Sequence, residues 1–210
     1  MKKLTWLIAF FLITNVLLAQ SADKKATAIL NEISAKTKAY KTLRLEFAYT
    51  MENTKEKIKE NFNGILLSKG DKYKLSIAGQ DVFCDGKTSW TYLKDAKEVQ
   101  INDVGTDDES FTPTKMLTSY NANYRSKLVS DKNNRQVIEL TPLKKGKSIS
   151  RVLLTIDKAK KQVSSFVMYD KTGSTFTYSI NKFITDPPLA DKEFAFNKAE
   201  HPGTEVVDMR

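Results

Sequence analysis

The stretch from Leu43 to Met51, Leu-Arg-Leu-Glu-Phe-Ala-Tyr-Thr-Met, places an apolar residue at every second position. This period of two is typical of a β-strand with one buried face, because successive side chains of a strand point to opposite sides of the sheet. Upstream the spacing changes to three and four residues, which predicts an amphipathic helix. The buried positions of that helix would be Ala26, Ile29, Leu30, Ile33, Thr37 and Tyr40.

Strand-like runs continue downstream at short intervals. They span residues 57–68, 72–79, 80–84, 88–93, 97–102, 123–129, 135–141, 149–157, 162–170 and 174–184. Turn sequences such as Lys69-Gly70-Asp71 and Lys132-Asn133-Asn134 separate the runs and suit tight hairpins. A second helix is predicted over residues 112–120. The pattern favours a mainly β (α+β) fold, a strongly curved antiparallel sheet or barrel of about ten or eleven strands that the helices cover.

The N-terminus carries the pattern of a cleaved export signal. Lys2 and Lys3 precede an apolar run of 15 residues from Leu4 to Leu18, and the small residue Ala19 follows. A permanent membrane anchor is the alternative, but a spanning helix needs about 20 apolar residues. We therefore expect cleavage near Ala19, release into the periplasm, and one domain over residues 20–210.

The charge of the chain points to anionic partners. The formal net charge is +9, and removal of residues 1–19 would leave +7. Outside the cytoplasm, anionic membrane surfaces or acidic proteins are natural partners for this charge, and nucleic acid is not. The basic runs at residues 144–147 and 158–161 are also typical of solvated hairpin loops, so the charge alone does not decide between these interpretations.

The residues offer little for catalysis. The chain has one histidine, His201, and one cysteine, Cys84. A histidine-dependent triad or a multi-histidine metal site is therefore disfavoured. We expect His201 to be an exposed imidazole in the C-terminal tail and Cys84 to be a small buried residue. No phosphate-binding glycine loop or serine elbow is present. The sequence predicts a binding protein without metal or cofactor rather than an enzyme.

Bulky apolar residues occupy the alternating positions that would face inward. They are Leu45, Phe47, Tyr49, Phe62, Leu66, Tyr73, Leu75, Ile77, Trp90, Tyr92, Phe166, Met168, Phe176 and Tyr178. The alternation predicts a buried face. It does not distinguish the wall of a ligand cavity from an ordinary packed core.

One hairpin carries a family resemblance. The segment Asp85-Gly86-Lys87-Thr88-Ser89-Trp90-Thr91-Tyr92 resembles the DGK-x-x-W-x-Y hairpin of LolA-type outer-membrane lipoprotein carriers. Residues 45–50 are similar to that family's early F-x-Q-type strand, and Gly64-Ile65-Leu66-Leu67 to its G-x-L strand. Phe194-Ala195-Phe196, followed by Pro202-Gly203 and Val206, is similar to its C-terminal order. The similarity runs in order from about Ala26 to Val207.

The resemblance implies an incomplete antiparallel barrel whose helices form a lid over a hydrophobic cavity for lipoprotein acyl chains. The inward residues would then line the cavity, and Met116, Leu117 and Tyr120 would belong to the lid. It further implies a periplasmic carrier of acylated lipoproteins that works without cofactors. An inner-membrane ABC-type release complex would load the carrier, and an outer-membrane acceptor lipoprotein would receive the cargo. We expect a monomer.

An alternative function stays open on the same fold. The protein could be a periplasmic sensor or interaction domain that recognises lipidated or misfolded envelope proteins without transporting them.

One position departs from the family pattern. Family members commonly have Arg-Pro after the strand that here ends in Ser68, and that arginine helps to latch the lid. This chain has Lys69-Gly70 instead. Lysine keeps the charge but lacks the planar fork with which arginine binds several oxygens. Lys69 is our candidate latch, and an exposed turn lysine is the alternative.

Overall fold

A computed structural model describes residues 23–104, 123–144, 146 and 148–210 of the protein. Residues 23–39 form helix α1, in agreement with the apolar spacing of three and four. The predicted signal peptide at residues 1–19 and the predicted second helix at residues 112–120 lie outside the described residues. No helix within the described ranges has the length and apolar character that crossing a membrane requires.

The strands form one sheet of twelve members. They are β1 Leu43–Asn53, β2 Ile58–Lys69, β3 Lys72–Ile77, β4 Gln80–Cys84, β5 Thr88–Leu93, β6 Glu98–Asp103, β7 Tyr124–Lys132, β8 Arg135–Pro142, β9 Ile149–Asp157, β10 Gln162–Asp170, β11 Ser174–Thr185 and β12 Glu205–Asp208. Their order is β12-β6-β5-β4-β3-β2-β1-β11-β10-β9-β8-β7, so the described sheet is open, with β12 and β7 at its edges. This arrangement confirms the predicted mainly β fold with an incomplete barrel.

The turns explain why the sheet is a near-continuous meander. Short hairpins join most neighbouring strands, and these pairs are antiparallel. In the β7–β8 hairpin, Asn133 and Asn134 both adopt positive φ angles, 51° and 59°. Two successive residues of this kind match the twist of the flanking strands and close the hairpin tightly.

The first face of the sheet packs against α1, and we call it the helix face. It carries Leu45, Phe47 and Leu66 from the centre of the sheet. Ala26 and Leu30 of α1 are fully buried, at 0% exposure, in the same apolar cluster. The helix therefore covers part of this face and contributes to its core.

The second face, which we call the outer face, is covered near β3 to β6 by residues 186–210, the C-terminal segment. This segment contains two short 3₁₀ helices, Asp191–Phe194 and Lys198–Glu200, and then β12, which pairs in parallel with β6. The first 3₁₀ helix contacts β3 and β4, and Phe194 within it is 0% exposed. We did not predict these elements from the sequence, because they are too short to show a period.

Candidate ligand-binding face

Aromatic rings gather on the helix face around Tyr178. The Phe166 ring stacks on Tyr178 with centroids 4.5 Å apart, and the Tyr49 ring lies 4.8 Å from Tyr178. Phe62 stacks on Tyr49 at 6.2 Å, and Phe47 lies 5.7 Å from Tyr178. The strand order explains the cluster, because β2, β1, β11 and β10 are neighbours in the sheet in that order. The strands thus build one continuous aromatic surface.

Burial divides this surface into two parts. Leu45, Phe47, Leu66 and Met168 are buried, with exposures between 3% and 7%. In contrast, the remaining predicted residues on this face are only half-buried: Tyr49, Phe62, Tyr73, Leu75, Ile77, Phe166, Phe176 and Tyr178. The structure therefore brings together twelve of the predicted cavity residues. Whether they bind a ligand stays a prediction.

Close packing at Gly64 sets the position of the Phe47 ring. Gly64 lies directly opposite Phe47 in the β1–β2 register. A Cβ atom added at Gly64 would lie 2.6 Å from Cε2 of Phe47 and closer still to Cζ. Only a glycine lets the ring lie directly against the β2 backbone. The glycine therefore keeps the Phe47 ring low on the helix face.

The tyrosines of the helix face keep their protons to unusually high pH. Burial raises the pKa of both Tyr73 and Tyr178 to about 12. Burial also raises the pKa of Tyr49 and of Tyr124. An apolar environment disfavours the phenolate, so these hydroxyls are neutral at physiological pH. The tyrosine hydroxyls of the helix face consequently carry no charge, and Glu60 is the acidic group close enough to raise the Tyr49 pKa further.

The alternating pattern did not find every residue of this face. Phe183 and Ile180 of β11 both pack against the helix-face cluster. The two residues are three positions apart, so a regular strand would place them on opposite faces. They share a face because the β1–β11 register shifts between Glu46 and Phe47, which leaves one extra residue in β11. Such a bulge interrupts the period of two, and strict alternation cannot predict it.

Two predicted cavity residues lie elsewhere, and this corrects the sequence interpretation. Trp90 and Tyr92 belong to a separate cluster with Phe83 and Val99 on the outer face. The register places Phe83 opposite Trp90, so these two side chains share the outer face. It places Val82 opposite both Leu75 and Thr91, which therefore share the helix face. Thus Ser89, Thr91 and Leu93 hold the helix-face positions of β5. The prediction for Trp90 and Tyr92 was wrong because it assigned apolar residues to the helix face. The outer face is also apolar at β5, where the C-terminal segment packs on it.

His201 also differs from its prediction as an exposed tail imidazole. Its ring is half-buried, stacked 4.9 Å from Phe196 at 11° and 4.5 Å from Tyr92. Phe196 in turn contacts Phe83 at 5.9 Å. The histidine therefore closes an aromatic cluster on the outer face. Cys84 is 1% exposed, as predicted, and burial raises the pKa of its thiol.

Lys69 binds the C-terminal segment. Its ammonium lies 2.6 Å from Oδ1 of Asp191, and Lys72 lies 2.8 Å from Oδ2 of the same carboxylate. These two hydrogen bonds hold the pKa of Asp191 down at about 2, with the Lys69 bond the larger cause. The predicted lid residues Met116, Leu117 and Tyr120 lie outside the described residues, so the role of Lys69 as a latch of the lid stays a prediction.

The residues that form the helix face are mainly apolar or aromatic. Within the described ranges, no group of three or more His, Cys, Asp and Glu residues is placed to hold a metal ion. The half-exposed aromatic rings instead present apolar surface with neutral hydroxyls. An open antiparallel sheet that α1 partly covers, with a half-exposed aromatic face, defines the class of fold to which the protein belongs.

The sequence comparison identifies the family. Residues 38–197 match the profile of the family "Outer membrane lipoprotein carrier protein LolA". Because this match covers most of the chain, the protein belongs to the LolA family, whose members are periplasmic lipoprotein-binding proteins. A search of curated protein sequences finds no match.

Comparison with solved structures finds similar chains, one of them with a TM-score above 0.5. An uncharacterized conserved protein from Thermus thermophilus is 14% identical, with a TM-score of 0.58 over 88% of this chain and 99% of that one. A LolA superfamily protein from Nitrosomonas europaea is 13% identical, with a TM-score of 0.45 over 81% and 97%. A domain from Vibrio parahaemolyticus, described as a putative outer membrane lipoprotein-sorting protein, is 16% identical, with a TM-score of 0.47 over 85% and 98%.

Proposed function

We propose that this protein is a periplasmic carrier that binds the acyl chains of lipoproteins on the helix face and moves them from the inner to the outer membrane. Membership of the LolA family supports the class of cargo. The observation that carries the proposal is the half-burial of the aromatic residues around Tyr178. Phenylalanine is often fully buried in an ordinary core, whereas Phe62, Phe166 and Phe176 keep exposed apolar surface next to the half-buried tyrosines.

Acyl chains match this surface in chemistry. Each buried methylene contributes about 0.8 kcal/mol, so a long chain binds strongly without a specific polar contact. The neutral tyrosine hydroxyls add no charge that would oppose an apolar ligand. Release then requires only that the protein open or that an acceptor offer a more favourable apolar surface, since no covalent bond forms.

A pair of neighbouring residues tests the proposed site. Phe166 and Val167 are adjacent on β10 and both half-buried, but only Phe166 points to the helix face. Phe166→Asp would place an unpaired charge among apolar groups, at a cost of several kcal/mol. We expect binding of a fluorescent fatty acid to weaken at least about tenfold in this variant.

Val167→Asp is the matched control, because it introduces the same charge on the outer face of the same strand. We expect it to bind the fatty acid within about twofold of the wild type. Equal binding by wild type and Phe166→Asp would place the ligand elsewhere. Absence of any fatty-acid binding by the folded wild type would reject the proposed function.

Depletion in cells separates a carrier from a sensor. Loss of a carrier should leave lipoproteins in the inner membrane, whereas loss of a sensor should change a stress response without altering lipoprotein location. Fractionation of the two membranes after depletion measures this difference directly. Correct outer-membrane location in depleted cells would contradict transport even if the protein binds acyl chains.

A further inference from the structure

The positive charge of the chain is concentrated in three short segments. Residues 23–41, 131–135 and 157–161 hold ten basic and four acidic side chains, a net charge of +6. Residues 23–210 as a whole have a net charge of +7, so the other parts of this range contribute only +1. The basic character of the protein therefore belongs to these segments, which are α1 with its following turn and the β7–β8 and β9–β10 hairpin tips.

The fold brings the three segments together. Asp131 in the β7–β8 hairpin binds Lys25 of α1 at 3.1 Å and Lys158 of the β9–β10 hairpin at 3.0 Å. Lys161 binds Glu32 of α1 at 2.5 Å. Because these contacts join the helix to both hairpin tips, the segments form one surface, which we call the cationic end.

Much of the positive charge at the cationic end faces solvent. The Lys36 ammonium donates a hydrogen bond to the backbone carbonyl of Lys160 at 2.6 Å, which satisfies a donor but neutralises no charge. Lys38, Lys132 and Lys160 are all exposed. With ten basic groups and four acidic ones, the surface keeps a strong positive potential after its internal ion pairs have formed.

The residue types favour a bilayer over other anionic partners. Nine of the ten basic residues are lysines and only Arg135 is an arginine. Protein interfaces are depleted in lysine and enriched in arginine, which recognises carboxylates with a planar fork. The only aromatic residue of the three segments is Tyr40, whose ring contacts Phe183 and so is not a free stacking platform for nucleic-acid bases. Flexible point charges instead suit a diffuse anionic lipid surface.

We propose that the cationic end docks the protein on the surface of membranes that contain anionic phospholipids. The inference rests on the proposed carrier function, because a protein that collects and delivers acyl chains must approach membrane surfaces. Docking through this end would fix the orientation of α1 and of the helix face beneath it relative to the bilayer.

Vesicle co-sedimentation tests the docking surface. One set of vesicles contains phosphatidylcholine alone, and the other contains phosphatidylglycerol as about a third of its lipid. We expect the wild type to bind only the anionic vesicles, and to dissociate at about 1 M salt, where the Debye length falls to about 3 Å. Each lysine near an anionic surface contributes about fivefold in affinity. The triple variant Lys38→Glu, Lys132→Glu and Lys160→Glu should therefore bind about a hundredfold more weakly.

The control variant carries the same change in net charge on other surfaces: Lys171→Glu, Lys192→Glu and Lys198→Glu, all at exposed positions. We expect it to stay within about threefold of the wild type. Equal losses in the two triple variants would show that only total charge matters and would overturn the proposal. So would equal binding to neutral vesicles, or binding to polyglutamate without binding to vesicles, which would indicate an acidic protein partner.

Fatty-acid binding separates this inference from the proposed function. The triple variant at the cationic end should bind fluorescent fatty acid as the wild type does, because its substitutions lie on exposed positions. Anionic-vesicle binding by a wild type that fails to bind fatty acid would support the docking surface and reject the carrier function. Fatty-acid binding by a wild type that does not bind anionic vesicles would support the carrier function and overturn the docking surface.

Discussion

Two aromatic clusters lie on opposite faces of the same sheet and differ in what covers them. On the helix face, Tyr49, Phe166 and Tyr178 stay half-exposed beside α1. On the outer face, Phe83 and Tyr92 are buried at 5% and 9% exposure beneath the C-terminal segment. The C-terminal segment thus covers the two central rings of the outer cluster, while Trp90 and Phe196 at its margin stay half-buried. The central rings of the helix-face cluster keep exposed apolar surface. The two clusters are alike in composition and differ in the element that covers them.

The largest expected effect would loosen the C-terminal segment that covers the outer face while leaving the helix face unchanged. Phe194→Ala removes a 0% exposed ring from the C-terminal segment. Truncations of buried phenylalanine typically cost about 3–5 kcal/mol, because the lost contacts leave a cavity. We expect urea unfolding to show a loss of this size, and the folded fraction to bind fatty acid with wild-type affinity.

Val206→Ala is the control for that experiment, because Val206 lies in the same segment but is 42% exposed. It should change the free energy of unfolding by less than about 0.5 kcal/mol. A similar loss in both variants would mean that the segment as a whole, rather than the buried ring, stabilises the outer face.

A smaller effect should distinguish the helix face. Gly64→Ala forces a methyl group against the Phe47 ring, and overpacking of this kind costs about 1–3 kcal/mol. The displaced ring would rise into the proposed ligand site, so fatty-acid affinity should fall as well. In a Phe47→Leu background the smaller side chain leaves room for the methyl group, and Gly64→Ala should then cost less in both assays. Equal costs in the two backgrounds would contradict the proposed contact.

The smallest effect concerns the ion pairs that fasten the C-terminal segment. The lowered pKa of Asp191, about 2 against an ordinary value of 3.8, means that the folded state binds its proton less readily than the unfolded state does. Its contribution to stability is therefore present above about pH 4 and is lost as the pH falls towards 2. Lys69→Gln should raise the Asp191 pKa towards 3.8 in a carboxyl-resolved NMR titration.

Lys192→Gln provides the comparison for that titration, since Lys192 is exposed and adjacent in sequence while Lys69 and Lys72 are the bases that lower the Asp191 pKa. The Asp191 pKa should stay near 2 in this variant. An unchanged pKa in Lys69→Gln would show that Lys72 alone is sufficient to hold the carboxylate ionised.

The strands could be predicted closely because each has one apolar face. The run predicted at 162–170 is β10 with the same bounds, and the run predicted at 72–79 ends two residues late, since Ala78 and Gly79 form the turn. The elements that we did not predict are those fixed by tertiary contacts. The 3₁₀ helix at Asp191–Phe194 and strand β12 have no period of their own and are ordered by the outer face on which they pack.

The candidate site was predicted less completely than the fold. Alternation correctly placed Phe47, Tyr49 and Tyr178 together. It cannot show which of the two alternating sets in one strand shares a sheet face with a given set in the next strand. Following odd and even positions through each short hairpin would have assigned Thr91, not Trp90 or Tyr92, to the helix face. The bulge that separates Ile180 from Phe183 shows the limit of that method too, because an inserted residue reverses the parity without a signal in hydrophobicity.

The position of β12 has a consequence for the order of folding. This strand is at the end of the chain, yet it pairs with β6, about a hundred residues earlier. Leu43 likewise pairs with Thr185 across nearly the whole domain. Pairings between residues so distant in sequence form slowly, because the intervening loop must first close at an entropic cost. Folding therefore covers the outer aromatic cluster late, and chains truncated before Phe196 would leave Phe83 and Tyr92 without the rings that pack on them.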